Sequence, residues 1–297
     1  MQIHLNGRLC PAAEALVPIE DAGLQHGVGL FETFFCYNGK PFRLDRHLER
    51  LKKSAHELGL APSLNTEPLL DAVEQVIGAN NLKDARIRLT ITAGTLSLLR
   101  KADETAAAIR QTVAVVPSPS TVFDPAYFER GVTVAVHGPL ANPFDPGAGH
   151  KTVNYWARLA ALRHAATLGA SEAIVLSITN HLAGGCVSNL FLAKDGVLLT
   201  PIAHGEEVEG ALTAPVLPGI TREAVLEAAA VRGIPVKKQM LTIEDLLSAD
   251  EIFLTNGNWK VLPVIRVEHA DIGDAKPGPM TLDLREDVLA AVARECR

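Results

Sequence analysis

The clearest regularity in the chain is a two-residue alternation over residues 85–92. Ile87, Leu89 and Ile91 point one way, while Arg86, Arg88, Thr90 and Thr92 point the other. That period predicts a strand with one buried face. Over residues 45–59 the period lengthens: Leu48, Leu51, Ala55 and Leu58 fall at helical spacing and predict a helix with an apolar stripe. The same reading gives a hairpin about Asn6-Gly7, a strand at 31–37 closed by Asn38-Gly39, a helix at 68–77 and a strand at 111–116. Further on it gives an amphipathic helix at 154–168, an apolar strand at 172–179 and a hairpin across Lys194-Asp195-Gly196. A helix at 221–231, strands at 251–255 and 261–267 and a closing helix at 282–295 complete the pattern.

Strands and helices alternate, yet many strands are hairpin-linked, so a mixed sheet is expected and the fold class is α/β with α+β character. The texture breaks at Val116-Pro-Ser-Pro-Ser-Thr121, which sets the expected domains at 1–117 and 122–297. The loop expected at 138–149 follows in the second. Composition adds little beyond exclusions. With 28 Lys+Arg against 34 Asp+Glu and 5% aromatic residues, the chain has neither a basic face nor stacking platforms for nucleic acid. No run of about 18 apolar residues marks a membrane span. Cys10, Cys36, Cys186 and Cys296 form no C-x-x-C pair, and no H-x-x-x-H pattern occurs. Reduced thiols, a cytoplasmic protein and no metal site are therefore expected.

Several residues are candidates for chemistry. Leu217-Pro-Gly-Ile-Thr-Arg222 puts a glycine-containing turn before a helix, whose first N–H groups and positive dipole end suit a phosphate. Thr221 is expected to cap that helix; the same run also reads as a plain capped turn. Lys151 has no carboxylate within five residues and lies between a loop and a helix start, which suits a nucleophile or a solvated surface lysine. Arg50 lies beside its helix's apolar stripe and could serve a phosphate or pair with Glu49 or another neighbour. Arg86 and Arg88 share a strand face, as for a substrate carboxylate or for structural ion pairs. Cys186 reads as a buried, inert thiol.

Taken in order, six segments resemble the class IV aminotransferases, fold-type IV pyridoxal-phosphate enzymes that include branched-chain and D-amino-acid aminotransferases and aminodeoxychorismate lyase. They are Asp21-Ala-Gly-Leu-Gln-His-Gly-Val-Gly-Leu-Phe-Glu-Thr33, Phe42-Arg-Leu-Asp-Arg-His-Leu-Glu-Arg-Leu-Lys-Lys-Ser-Ala55, Lys151-Thr-Val-Asn-Tyr155, Gly185-Cys-Val-Ser-Asn-Leu-Phe191, Leu217-Pro-Gly-Ile-Thr-Arg222 and Leu254-Thr-Asn-Gly257. The resemblance implies a smaller N-terminal α/β domain and a larger C-terminal pseudo-barrel, in a homodimer. It implies that Lys151 holds pyridoxal 5'-phosphate as a Schiff base and carries the proton between substrate Cα and cofactor C4′. Arg50 and the N–H groups of Ile220 and Thr221, after Gly219, would hold the phosphate, with Thr255, Asn256 and Gly257 as a looser contact. Leu217 would pack on the ring, Tyr155 would reach toward it, and Phe31 and Arg88 would line the substrate pocket.

One position departs from the pattern. Where the family carries the Glu that keeps the ring nitrogen protonated, this chain has Gly184, and no Asp or Glu occurs from Ala173 to Lys194. A carboxylate from elsewhere could replace it, the reaction could need less ring charge, or activity could be lost. On this reading Gly184→Glu would raise cofactor affinity. The expected function is transfer of an amino group between a branched-chain-like amino acid and a 2-oxo acid. The alternatives are a lyase giving 4-aminobenzoate and pyruvate, or an impaired protein that only binds pyridoxal phosphate or another phosphate ligand. Leu96, Leu98 and Leu99, with only Arg100 and Lys101 beyond, disfavour a D-amino-acid site with an acidic anchor.

Overall fold

The computed structural model describes residues 1–95 and 111–297. They divide into two compact units: Met1–Thr121 with Lys151–Asn154 and Glu295–Arg297, and Val122–His150 with Tyr155–Arg294. The short segment carrying Lys151, which lies inside the span expected for the second domain, thus packs with the first unit. The reason is backbone pairing to a strand of that unit, described below.

In the first unit, β1 (Gln2–Leu5) and β2 (Arg8–Pro11) form the hairpin. Asn6 and Gly7 both take positive φ, 50° and 89°, as a two-residue turn of matching twist requires. A short helix, α1 (Ala22–His26), is capped by Asp21, whose side chain accepts a hydrogen bond from Gly23 N. Then come β3 (Gly29–Tyr37), β4 (Lys40–Pro41), α2 (Leu44–Glu57), α3 (Glu67–Ala79), β5 (Ala85–Thr92) and β6 (Val113–Pro119). The sheet order is β2-β1-β6-β5-β3-β4, antiparallel throughout. Leu48, Leu51 and Ala55 of α2 and Val73 and Val76 of α3 pack on Phe34, Ile87, Leu89 and Ile91, so both periodicities face one core. Arg86 and Arg88 stand on the other, exposed face of β5.

The Pro/Ser stretch is a strand for most of its length, since β6 continues to Pro119. Pro117 and Pro119 face Ile87 and Ala85 of β5, while β1 pairs β6 only at Ala114 and Val115. Prolines two residues apart leave their missing N–H groups on one strand edge, and past Val115 β6 has, among the described residues, a paired strand on one side only.

The second unit holds α4 (Ala126–Glu129), β7 (Val132–Ala141), α5 (Trp156–Thr167), β8 (Glu172–Ser177), β9 (Leu182–Gly185), β10 (Asn189–Lys194), β11 (Val197–Thr200) and α6 (Ile220–Val231). It ends with β12 (Val236–Lys238), α7 (Ile243–Leu247), β13 (Glu251–Asn256), β14 (Lys260–Val267), β15 (Ala270–Asp271) and α8 (Pro279–Glu295). β7 runs on to Ala141, so the expected loop starts later than the sequence suggests. The sheet order is β12-β11-β10-β13-β14-β7-β8-β9, with parallel pairs at β11–β12, β14–β7 and β7–β8 and β15 attached to β14. Leu182 N of end strand β9 donates to Leu241 O just past β12, 2.7 Å away, so the sheet closes on itself.

Alternation explains the apolar runs here. Ile174, Leu176, Leu190, Leu192, Ile252 and Leu254 fill the closed sheet's interior. Their neighbours Phe191 and Phe253 turn outward and stack at 4.9 Å beneath α6 and α8. Ala173 and Val175 turn outward to α5. Strands buried on both faces lose the polar half of the pattern. Helix α5 is not amphipathic in the expected way: Ala161 and Ala165 are its buried residues, while Trp156 is 77% and Leu159 51% exposed. No helix among the described residues is long and apolar enough to cross a membrane.

Candidate functional site

In the first unit, residues 151–153 lie along the edge of β3. Phe31 N donates to Lys151 O at 2.9 Å and Val153 N to Gly29 O at 3.0 Å, with Leu30 bridged to Thr152. This pairing brings three of the predicted residues together. Lys151 Nζ stands 4.5 Å from the centroid of the Phe31 ring, and Arg88 Cζ stands 3.6 Å from it. The aromatic face is therefore already occupied by cations, the electrostatic partner it favours.

The next residue along β3 turns the opposite way. Glu32 is buried and accepts from Arg50 Nε at 2.8 Å and Arg50 Nη2 at 2.5 Å, and it lies 2.7 Å from His47 Nδ1. Arg50 thus pairs with Glu32 from another element. Burial raises the Glu32 pKa, but the Arg50 charge and the His47 hydrogen bond outweigh it and hold the carboxyl at about 2. Burial lowers the pKa of His47 despite its contact with Glu32. Arginine carries five N–H donors in a planar fork, so one guanidinium can serve a carboxylate and a phosphate together.

In the second unit the helix start is as predicted in place but not in detail. Gly219 is the N-cap of α6, Ile220 and Thr221 are its first residues, and no side chain caps it. Thr221 thus lies inside the first turn, leaving the leading N–H groups without intrahelical partners. Gly219 has a steric reason of its own. A Cβ there would collide with Asn189 Oδ1, because Asn189 packs against the turn and donates through Nδ2 to Leu217 O at 2.8 Å. Arg222 is buried and bonds Glu206 at 2.7 and 2.8 Å and Pro201 O at 3.1 Å. Glu206 also accepts from Lys238 Nζ, and against the effect of burial these partners hold its carboxyl at about 2. They tie the segment before the helix down.

Asn189 pairs across the sheet with Thr255. Thr255 is buried, and its Oγ1 has no hydrogen-bond partner among the described residues. Asn256 is engaged: its Oδ1 accepts from Asn258 N and Trp259 N, and its Nδ2 donates to Val187 O at 3.3 Å. Gly257 O accepts from Lys260 Nζ. Tyr155 sits at the N-terminal boundary of α5, with Arg158 Cζ 5.9 Å from its ring.

Gly184 is not a plain truncation of a Glu. It has φ +103°, and a Cβ there would lie 2.9 Å from Ser188 O. At the next residue, a Cβ on Gly185 would lie 3.0 Å from Glu172. Glu172 is the buried carboxylate of this region, one residue before the acid-free stretch. It accepts from Ala173 N, Cys186 N, Val187 N and Ser188 Oγ at 3.0–3.2 Å. Burial raises its pKa over the opposing pull of those donors. Its signal in the sequence was only a charged residue opening an otherwise apolar strand. Cys186, beside it, is pushed up to about 12 by burial and then by the Glu172 charge, which makes it the inert thiol expected. All four cysteines are buried. The residues from Leu96 to Lys101 used to weigh the D-amino-acid reading lie outside the described residues.

The donors fit an anionic phosphate. A buried hydroxyl without a partner is a defect unless a ligand completes it, and Asn189 links it to a helix start whose N–H groups are available. Comparison with known proteins points the same way. The profile of the family described as amino-transferase class IV matches residues 29–267. A putative branched-chain-amino-acid aminotransferase of Methanocaldococcus jannaschii is 32% identical, covering 96% of this chain and 94% of that protein. A D-alanine aminotransferase of Listeria monocytogenes is 27% identical, covering 100% and 98%. The solved branched-chain amino acid aminotransferase of Escherichia coli superposes with a TM-score of 0.84 at 30% identity, covering 96% and 92%.

Proposed function

We propose, from the premise that this chain belongs to the class IV amino-transferase family and is a pyridoxal-phosphate-dependent aminotransferase, that it moves the amino group of a branched-chain amino acid to a 2-oxo acid. The observation that carries the site assignment is the partnerless Thr255 hydroxyl, linked through Asn189 to the start of α6. In the second unit, the N–H groups of Ile220 and Thr221 and the Thr255 hydroxyl would hold the cofactor's phosphate. Leu217 would cover a face of its ring and Tyr155 would reach its edge. Lys151 would attach the cofactor and move the proton at the substrate α-carbon. Pyridoxal phosphate, when bound, supplies the electron sink for that proton transfer. Arg88 would meet the substrate carboxylate, and the Phe31 ring, against which Arg88 and Lys151 stand, would line the pocket beside them. The relatives are named as aminotransferases, which favours transfer over the lyase reaction.

Two measurements test this. Borohydride reduction followed by peptide mapping should label Lys151; a label on another lysine would sink the assignment. Absorbance spectra should alternate between aldehyde and amine forms when leucine, isoleucine or valine and then a 2-oxo acid are added. D-Alanine performing better than all three would overturn the branched-chain reading.

A further inference from the structure

Three segments assigned to the cofactor meet at one turn of the second unit, residues 185–189. Gly184 leads into it. Val187 O accepts from Asn256, next to Thr255. Asn189 ends the turn, pairs with Thr255 and holds Leu217 O, with its Oδ1 against Gly219. Arg158 Nη1 of α5 donates to Cys186 O at 2.9 Å from outside. From inside, a single side chain holds three consecutive residues of the turn.

That side chain is Glu172, with relative exposure of 0%. Its Oε1 accepts from Cys186 N at 3.2 Å and from Ala173 N at 3.0 Å. Its Oε2 accepts from Val187 N at 3.2 Å and Ser188 Oγ at 3.0 Å. All four partners are donors, so the pocket is built for an acceptor on both oxygens. An amide in place of the carboxylate would turn an NH2 group toward N–H donors. Gly185 is needed for this approach, since a Cβ there would collide with Ser188 Oγ and lie 3.0 Å from the Glu172 carboxyl carbon.

We propose that Glu172 is a positioning residue for the cofactor site: by holding Cys186, Val187 and Ser188 it sets Asn189, and through Asn189 the register of the α6 start with Thr255. It does not stand in for the carboxylate missing at position 184, because both of its oxygens are taken up by donors of Ala173 and of the turn itself. The idea rests on the phosphate-site assignment above.

The test compares wild type, Glu172→Gln and Ser188→Ala as apoproteins titrated with pyridoxal phosphate and, separately, with inorganic phosphate. Glu172→Gln should bind both at least tenfold more weakly, and Ser188→Ala about threefold more weakly. The phosphorus resonance of bound cofactor should move in Glu172→Gln, which a general loss of stability would leave in place. Affinity within twofold of wild type with an unmoved resonance would overturn the proposal even if the variant melts lower. If Glu172→Gln does not fold, Ser188→Ala decides by the same two readouts. Thr255→Val serves as the control: unchanged phosphate binding there would sink the site assignment and Glu172's role with it.

Discussion

The Thr255 hydroxyl gains nothing from its burial in the protein alone, since no partner meets it. Thr255→Val should therefore raise the stability of the apoprotein by up to about 1 kcal/mol and weaken pyridoxal phosphate binding roughly tenfold. Thermal melts and a cofactor titration check the two halves, and equal affinity in the variant would remove Thr255 from the site. Gly184 makes the opposite kind of test. The residue types alone suggest that Gly184→Glu restores a lost contact, but the backbone there lies at φ +103° with Ser188 O in the way. A side chain forced into that region costs about 1–3 kcal/mol. Gly184→Glu should melt lower and bind the cofactor no more tightly. The sequence displayed the missing carboxylate plainly; it could not display the φ angle that makes the glycine necessary.

Strand β3 and helix α2 are joined by the buried Glu32–Arg50–His47 group, and acid should loosen that joint. Glu32 sits at about 2 in the folded protein against 4.5 when exposed, so its contribution is full above 4.5 and is lost as pH falls toward 2. His47 is lowered from 6.5, so below that value the unfolded chain takes up a proton the folded chain resists, and stability falls there too. Glu32→Gln removes the buried charge that faces the Arg50 guanidinium and should cost about 3–5 kcal/mol at pH 7. The slope of its melting temperature between about pH 4.5 and 3 should be flatter than that of wild type; an unchanged slope would mean that Glu32 is not the group titrating. Elements with one exposed face, such as β5 and α2, were legible because period and burial coincide in them. Helix α5 was not, for its fully buried residues are two alanines while Trp156 and Leu159 are exposed. Glu32 stood inside a quoted motif, yet its pairing with Arg50 spans 18 residues and two elements, which no local spacing reveals.

At the scale of the molecule, the change of texture near residue 118 was visible, but the grouping of Lys151–Asn154 with the first unit was not. Backbone pairing to β3 decides that, and hydrogen bonds between remote segments leave no trace in composition. The exposed Trp156 and Leu159, with Phe144 at 68% exposure, are large apolar surfaces that a homodimer would cover. We propose that they do so. Sedimentation should give twice the chain mass, and a Trp156→Asp, Leu159→Asp double variant should shift it toward the monomer; a wild-type monomer at micromolar concentration would end the idea.

The buried thiols give each unit a clock. Cys36 lies in β3 of the first unit and Cys186 in the turn gripped by Glu172 in the second, and burial pushes both up to about 12. Neither sulfur can be alkylated until its surroundings open, because the reagent needs access and a thiolate. The rate at which each cysteine takes up an alkylating agent therefore times the opening of its own neighbourhood, with no label introduced. Adding cofactor should slow the mark at Cys186 far more than the mark at Cys36.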